Sequence, residues 1–244
     1  MLPETRSWSS CRHDLVGKVP RHLAVILDGN RRWAERHGLP LADAYQAGAG
    51  RVRELLCWCD ELGIPYVTVW ALSQDNLYRE PKVVDHIVEA ITAGLRRIAA
   101  EGRWSIRIIG SLEHLPHQEQ AAALRAVERD SAIATGARLV VAVVYDGRRE
   151  IVAAVRELIC AYVDGSLAGE LTEQRLESFL STAGHPDVDL LIRTSGESRL
   201  SGFMLWQTAY AEFYFTPTYW PDFDRRHFGY ALTAYAERDR RRGL

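Results

Sequence analysis

Residues 22–33 read HLAVILDGNRRW, and the order of residue types in this stretch decides the fold. Leu23 to Leu27 are apolar without alternation, as in a strand covered on both faces. Asp28 closes the run and Gly29 permits a tight turn, because a residue without Cβ accepts backbone angles that others resist. Further apolar runs follow: YVTVWAL at 66–72, SIRIIG at 105–110, RLVVAVVY at 138–145, DLLIRT at 189–194 and EFYFT at 212–216. Between the first two, Tyr45, Val52, Leu55, Leu56, Cys59 and Leu62 recur at three- and four-residue steps, the spacing of an amphipathic helix. Segments 82–101, 117–134, 147–163, 172–181 and 224–240 read as helices too. Apolar strands that alternate with helices predict an α/β domain with a central six-stranded, mostly parallel sheet flanked by helices. Such sheets bind ligands beyond the carboxyl ends of their strands.

The composition bounds the partners. The chain has 244 residues, 47% of them hydrophobic and 25% charged, which fits one domain with a continuous core. Residues 1–20 lack periodicity and read as a flexible leader, and 21–244 as the domain proper. The 30 basic and 32 acidic side chains give a formal charge of -2, which offers no argument for nucleic acid. The start, MLPETRSWSS, has no apolar signal core, and no run approaches the roughly 20 apolar residues of a membrane span. The expectation is a cytoplasmic protein with at most peripheral membrane contact. Cys11, Cys57, Cys59 and Cys160 form no metal-ligand pattern and read as ordinary thiols.

Three polar clusters follow strand ends. In the first, Asp28 precedes Gly29, Asn30, Arg31, Arg32 and Trp33. Exposed amides and two guanidinium groups there make a cradle for a diphosphate, and Asp28 can hold Mg2+ as a hard oxygen ligand. Asp28 is equally a residue that caps a helix, with the arginines solvated. The second cluster, Ser73, Gln74, Asp75, Asn76 and Arg79, suits an oxyanion or a plain polar loop closed by Pro81. The third is the richest: Arg193 and Thr194 end an apolar strand, and Glu197, Ser198, Arg199 and Ser201 follow within one loop. A guanidinium at a buried strand end requires a partner, and an anion supplies one. Glu212, before Phe213, Tyr214 and Phe215, is either the second carboxylate of a metal site with Asp28 or an edge-strand residue.

Residues 21–243 resemble the cis-prenyltransferases, the undecaprenyl diphosphate synthase family. The matching strings are HLAVILDGNRRWA at 22–34, ALSQDN at 71–76, RIIG at 107–110, YDGRREI at 145–151, DLLIRTSGESRLSGF at 189–203 and LWQTAYAEFYFT at 205–216. The resemblance implies a magnesium-dependent homodimer whose subunits each enclose an apolar tunnel, and a transfer between isopentenyl diphosphate and an allylic diphosphate (dimethylallyl, geranyl or farnesyl). It implies that Asp28 and Asn30 are catalytic, and that Gly29, Arg31, Arg32, Trp33, Ser73, Asn76 and Arg79 attend substrate. Arg193, Arg199 and Ser201 match the isopentenyl diphosphate grip, Asp28 and Glu212 the magnesium ligands, and Arg241 a tail that reaches the neighbouring subunit. Replacement of Asp28 is expected to stop turnover and spare the fold.

Departures from the family pattern matter as well. Leu41 and Ala44-Tyr45 stand where the family commonly has an Arg and a Gly-His pair, Ser198 where a His is frequent, Leu77 for a Trp, and Val144 for an Asn. They lower the expected charge around the allylic diphosphate, and they resemble the actinobacterial short-chain branch that makes Z,E-farnesyl diphosphate. The segment 82–106 lacks the extra residues that long-chain members carry, which implies a short tunnel and a C15 product. Irregular coupling, cyclisation and medium or long chains are the alternatives.

Overall fold

The computed structural model describes residue 15 and residues 17–238. The leader expected at 1–20 and Arg241 therefore lie wholly or mostly outside the described residues. Six strands form one sheet: β1 (His22–Ile26), β2 (Tyr66–Ser73), β3 (Trp104–Ile109), β4 (Ala137–Tyr145), β5 (Leu190–Arg193) and β6 (Glu212–Phe215). Their order is β3-β4-β2-β1-β5-β6. Every neighbouring pair is parallel, so the sheet is more uniform than the mostly parallel one expected. Among the described residues seven α-helices connect and cover the strands: α1 (Asn30–His37), α2 (Leu41–Leu62), α3 (Pro81–Ala100), α4 (Gln118–Ser131), α5 (Gly147–Val163), α6 (Glu173–Glu177) and α7 (Arg225–Ala236).

Alternation along each strand divides the core between the two faces of the sheet. Leu23 and Val25, Leu139, Val141 and Val143, and Leu190 and Ile192 pack with α2, α3 and α7. Ala24 and Ile26, Val140 and Ala142, and Leu191 pack with Phe203 and Met204 on the other face. That double burial is why the strands read as unbroken apolar runs. No helix among the described residues is long and apolar enough to cross a membrane.

Two features position the site. From β1 the chain moves toward β2 and β3, whereas β5 and β6 lie on the other side of β1; the loops after β1 and β5 thus diverge and open a crevice between the strand ends. The β2–β4 ladder also changes register twice, between Trp70 and Leu72 and again between Leu72 and Ser73. The second irregularity coincides with Val144 at φ 52°, a left-handed conformation unfavourable for a β-branched residue. Three helices end before their sequence pattern does: α4 at Ser131, α7 at Ala236, and α6 at Glu177 rather than 181. After α6 the chain takes a different course. There the Ser181 N–H donates to Glu150 at 3.1 Å, a side-chain acceptor in place of a helical carbonyl.

Candidate active site

The crevice opens onto a cavity of about 650 Å³, within the ~300–1,000 Å³ typical of small-molecule sites. Its mouth is formed by Asp28, Asn30, Arg31, Arg32, Ser73, Asn76, Arg79, Arg193, Arg199 and Ser201, so three clusters distant in sequence converge. Its depth runs between the sheet and helices α2 and α3, lined by Val52, Val69, Ala71, Ile87, Ile91, Leu95 and Ile98. The α3 residues lie at helical spacing on one stripe. Ala49 and Gly94 bring α2 and α3 close together beside it, since a Cβ on Gly94 would stand 3.1 Å from the Ala49 Cβ.

Gly29, not Asp28, is the residue before α1, with φ 109°. A Cβ there would lie 2.9 Å from the Tyr219 ring, so both the angle and the space require glycine. Asp28 is freed from capping, and its carboxylate accepts from Arg193 Nη2 at 3.0 Å and Arg32 Nη2 at 3.3 Å. Arg193 is 5% exposed. It also donates to Ser201 Oγ at 2.9 Å and to the Arg199 carbonyl. The Thr194 hydroxyl donates to the Asp28 carbonyl at 2.6 Å and holds the ends of β1 and β5 together. Asp28 is consequently a packing partner of a buried cation, and the expectation that its removal spares the fold gives way to a cost of about 3–5 kcal/mol.

The cations at the mouth fall into two groups. Arg32 approaches Glu197 at 3.6 Å as well as Asp28, and Arg199 pairs with Glu197. Neither Arg31 nor Arg79 has a carboxylate partner at ion-pair distance among the described residues. Burial lowers the pKa of Arg79, with Arg31 adding repulsion, yet an arginine stays charged. Two guanidinium groups without a carboxylate at ion-pair distance thus face this side of the cavity, with Tyr45 and Asp28 near Arg79, more available charge than the loss of the family's Arg and His suggests.

Other expected residues hold different positions. The Ser73 hydroxyl accepts from Asn76 N–H at 3.2 Å and caps the turn Gln74–Tyr78, so it shapes the loop at the rim. Trp33 does not line the cavity; its indole donates to Asp222 at 2.6 Å. Glu212 opens β6 level with Leu190, whereas Phe215 is level with Arg193 and Ile26. It therefore sits at least three residues, about 10 Å, down the strand direction from Asp28 and two strands across, and it pairs with Arg238 at 3.5 Å. One chain does not bring the two carboxylates together. Among the described residues no cluster of three or more metal-binding side chains occurs. Asp28 still fits Mg2+, which commonly takes one or two carboxylates and completes its shell with substrate phosphates and water.

Tyr45, Gly48 and Trp220 line the cavity although sequence reasoning did not single them out as site residues. Gly48 makes room for Asn30: a Cβ would lie 2.5 Å from Asn30 Oδ1. Trp220 donates its indole N–H to the Gly48 carbonyl at 2.8 Å. A small residue in the AGAG run at 47–50 was the available signal for Gly48; the spacing of Trp220, 172 residues on, offered none.

Known proteins share this sequence pattern and this fold. Residues 26–243 match the family described as "Putative undecaprenyl diphosphate synthase". The chain is 47% identical over 234 residues to a short-chain Z-isoprenyl diphosphate synthase of Mycobacterium leprae, covering 93% of this chain and 88% of that protein. It is 43% identical over 242 residues to a (2Z,6E)-farnesyl diphosphate synthase of Mycolicibacterium smegmatis, covering 95% and 92%. The crystal structure of lavandulyl diphosphate synthase from Lavandula x intermedia, in complex with dimethylallyl diphosphate, superposes with TM-score 0.88 at 34% identity, covering 93% of this chain and all of that one.

Proposed function

The chain belongs to the undecaprenyl diphosphate synthase family of cis-prenyltransferases, and from that premise we propose that it joins isopentenyl diphosphate to a short allylic diphosphate, releasing a short Z-configured product such as Z,E-farnesyl diphosphate. The observation that carries this reading is the cavity itself: arginines from three strand ends surround a mouth that continues into an apolar slot. An amphiphile with an anionic head and a hydrocarbon tail fits such a shape, and neither half would suit a small polar metabolite.

The roles follow from position. Arg31 and Arg79, with Asn30 beside them, receive the allylic diphosphate; Arg193, Arg199 and Ser201 hold isopentenyl diphosphate, and Arg32 and Asp28 stand between the two. The allylic C–O bond breaks and its electron pair leaves with the diphosphate, whose growing charge the guanidinium groups stabilise. The alkene of isopentenyl diphosphate, held close, forms the new C–C bond to the allylic cation, and a proton then leaves to give the Z double bond. The apolar walls exclude water that would quench the cation. Asp28 is the residue suited to holding Mg2+, which would add charge neutralisation at the leaving diphosphate.

We read the working protein as a cytosolic homodimer. Val152, Val155, Ile159 and Val163 form an exposed apolar stripe on α5, and Phe213 and Phe215 stack on the outer face of edge strand β6. Apolar faces of this kind favour burial against a second copy. A monomer by analytical ultracentrifugation at micromolar concentration would refute the dimer. Incubation with dimethylallyl, geranyl or farnesyl diphosphate, with and without isopentenyl diphosphate and Mg2+, tests the activity. The expected prenyl product requires both diphosphates and the metal; a product from dimethylallyl diphosphate alone would mean irregular coupling instead.

A further inference from the structure

We propose that the Tyr45 hydroxyl is a hydrogen-bond donor to the diphosphate of the allylic substrate, completing a cradle with Arg31 and Arg79. This rests on the reading of the cavity given above and assigns a role to a residue that departs from the family pattern. Tyr45 extends from the first turns of α2 into the cavity and is 9% exposed. Its Oη is buried, and the polar group beside it is the Arg79 guanidinium, short of normal hydrogen-bond geometry; a guanidinium only donates, so the phenol proton has no acceptor among the described residues. Such a hydroxyl accepts at most from Arg79 and has lost the water that took its proton, an arrangement that destabilises a folded protein. It persists most readily where a ligand supplies the partner.

The neighbours specify what that ligand is. The charges of Arg79 and Arg31 draw the phenol pKa down, but burial outweighs them and the group stays neutral, so it retains a proton to donate. Two cations without carboxylates beside one neutral donor form a site for a multiply charged oxyanion. Asn30 offers less: one of its two amide N–H groups already binds the Leu27 carbonyl at 3.0 Å, and its unpartnered atom, Oδ1, only accepts. On this side of the mouth, Tyr45 replaces a titratable imidazole by a donor that does not change charge between pH 5 and 8.

Tyr45→Phe removes one oxygen and keeps the ring. The expected result is an allylic KM raised about ten- to hundredfold, the range for a lost hydrogen bond to a charged group, with the isopentenyl KM unchanged. Inorganic diphosphate, titrated calorimetrically in place of substrate, should weaken in parallel. The ligand-free variant should melt at the same temperature as the parent or up to roughly 4 °C higher, since an unsatisfied hydroxyl is gone. Tyr45→His, which restores a ring donor, should recover part of the affinity. A Phe variant with parental allylic KM and diphosphate affinity overturns the inference, as does one that melts several degrees lower, because the hydroxyl would then be structural. Arg79→Ala separates the two levels of the argument. If it raises the allylic KM while Tyr45→Phe does not, only the role of Tyr45 fails; if both leave it unchanged, the site reading fails as well.

Discussion

Replacing Ala71 with leucine should shorten the product, and the cavity volume says by how much. Ala71 lies on β2, half-buried against the helix-covered core cluster and on the wall of the slot, while its neighbour Trp70 stacks on Phe203 at 5.1 Å on the other face. Taking a carbon group as about the ~30 Å³ that water occupies in the liquid, a C15 chain fills roughly 450 Å³ and each isoprene unit roughly 150 Å³. The cavity of about 650 Å³ accepts the C15 chain with part of the polar mouth. A C50 chain would need roughly 1,500 Å³ on the same scale. Leucine adds three carbon groups, roughly 90 Å³, more than half of an isoprene unit and more than close-packed walls absorb. The expected outcome is a shift of the main product from C15 toward C10, with a stability cost of about 1–3 kcal/mol for overpacking. Chromatography of the dephosphorylated alcohols measures the chain length directly. An unchanged C15 product from an active variant would show that the chain does not pass Ala71, and parental products of C50 or longer would refute the volume argument itself.

Other consequences follow from particular contacts. Asp28→Ala should reduce turnover at least about a hundredfold and lower Tm by roughly 6–20 °C, because Arg193 loses its carboxylate; Asp28→Asn should keep most of the stability and lose the turnover. Parental melting of Asp28→Ala would show that the ion pair contributes nothing. Arg199→Ala should raise KM for isopentenyl diphosphate more than for the allylic partner, and the reverse would exchange the two subsites. Gly48→Ala should lower Tm modestly, since the gain in helix propensity of about 1 kcal/mol offsets only part of the crowding against Asn30 and the buried Trp220. Its Cβ displaces Asn30, so kcat should fall at least about tenfold, by analogy with other misplaced groups; full activity would remove Asn30 from the machinery. His185, held to about 4 by burial and by Arg107 and Arg138, is neutral in the fold near pH 5. The unfolded chain takes up that proton below about 6.5, so stability should decline from pH 6.5 to 4 and level off below. In a Tm series, His185→Gln should flatten that slope.

The sheet was readable because burial on both faces writes continuous apolar runs, and all six runs lie within two residues of the observed strand ends. What the residues on each strand could not state is which ends meet. That Asp28 and Arg193 are partners follows from strand order, with β5 inserted beside β1 on the side away from β2, and 165 residues separate them in the chain. The same geometry explains the opposite outcome at Glu212. Its distance from Asp28 depends on where β6 starts in the register, and a start level with Leu190 sends it to the far end of the strands. Local departures from the family pattern were legible as absences of charge, yet their meaning was structural. Val144 stands where Asn is usual and adopts a left-handed backbone that Asn tolerates and Val resists. Its carbonyl accepts the Ser111 N–H at 3.2 Å, and a Cβ on Gly110 would come within 2.1 Å of the Val143 carbonyl oxygen. The irregularity is therefore held by contacts from the neighbouring strand end. Strain of about 1–3 kcal/mol so maintained, one residue before the cavity-lining Tyr145, is what a site fixed by its scaffold carries. Tyr145 itself is locked by donating to Glu150 at 2.6 Å, which also accepts from Gln207 at 3.1 Å. On this reading the YDGRREI string at 145–151 holds the far wall of the mouth still while the arginines opposite exchange one anionic partner for another.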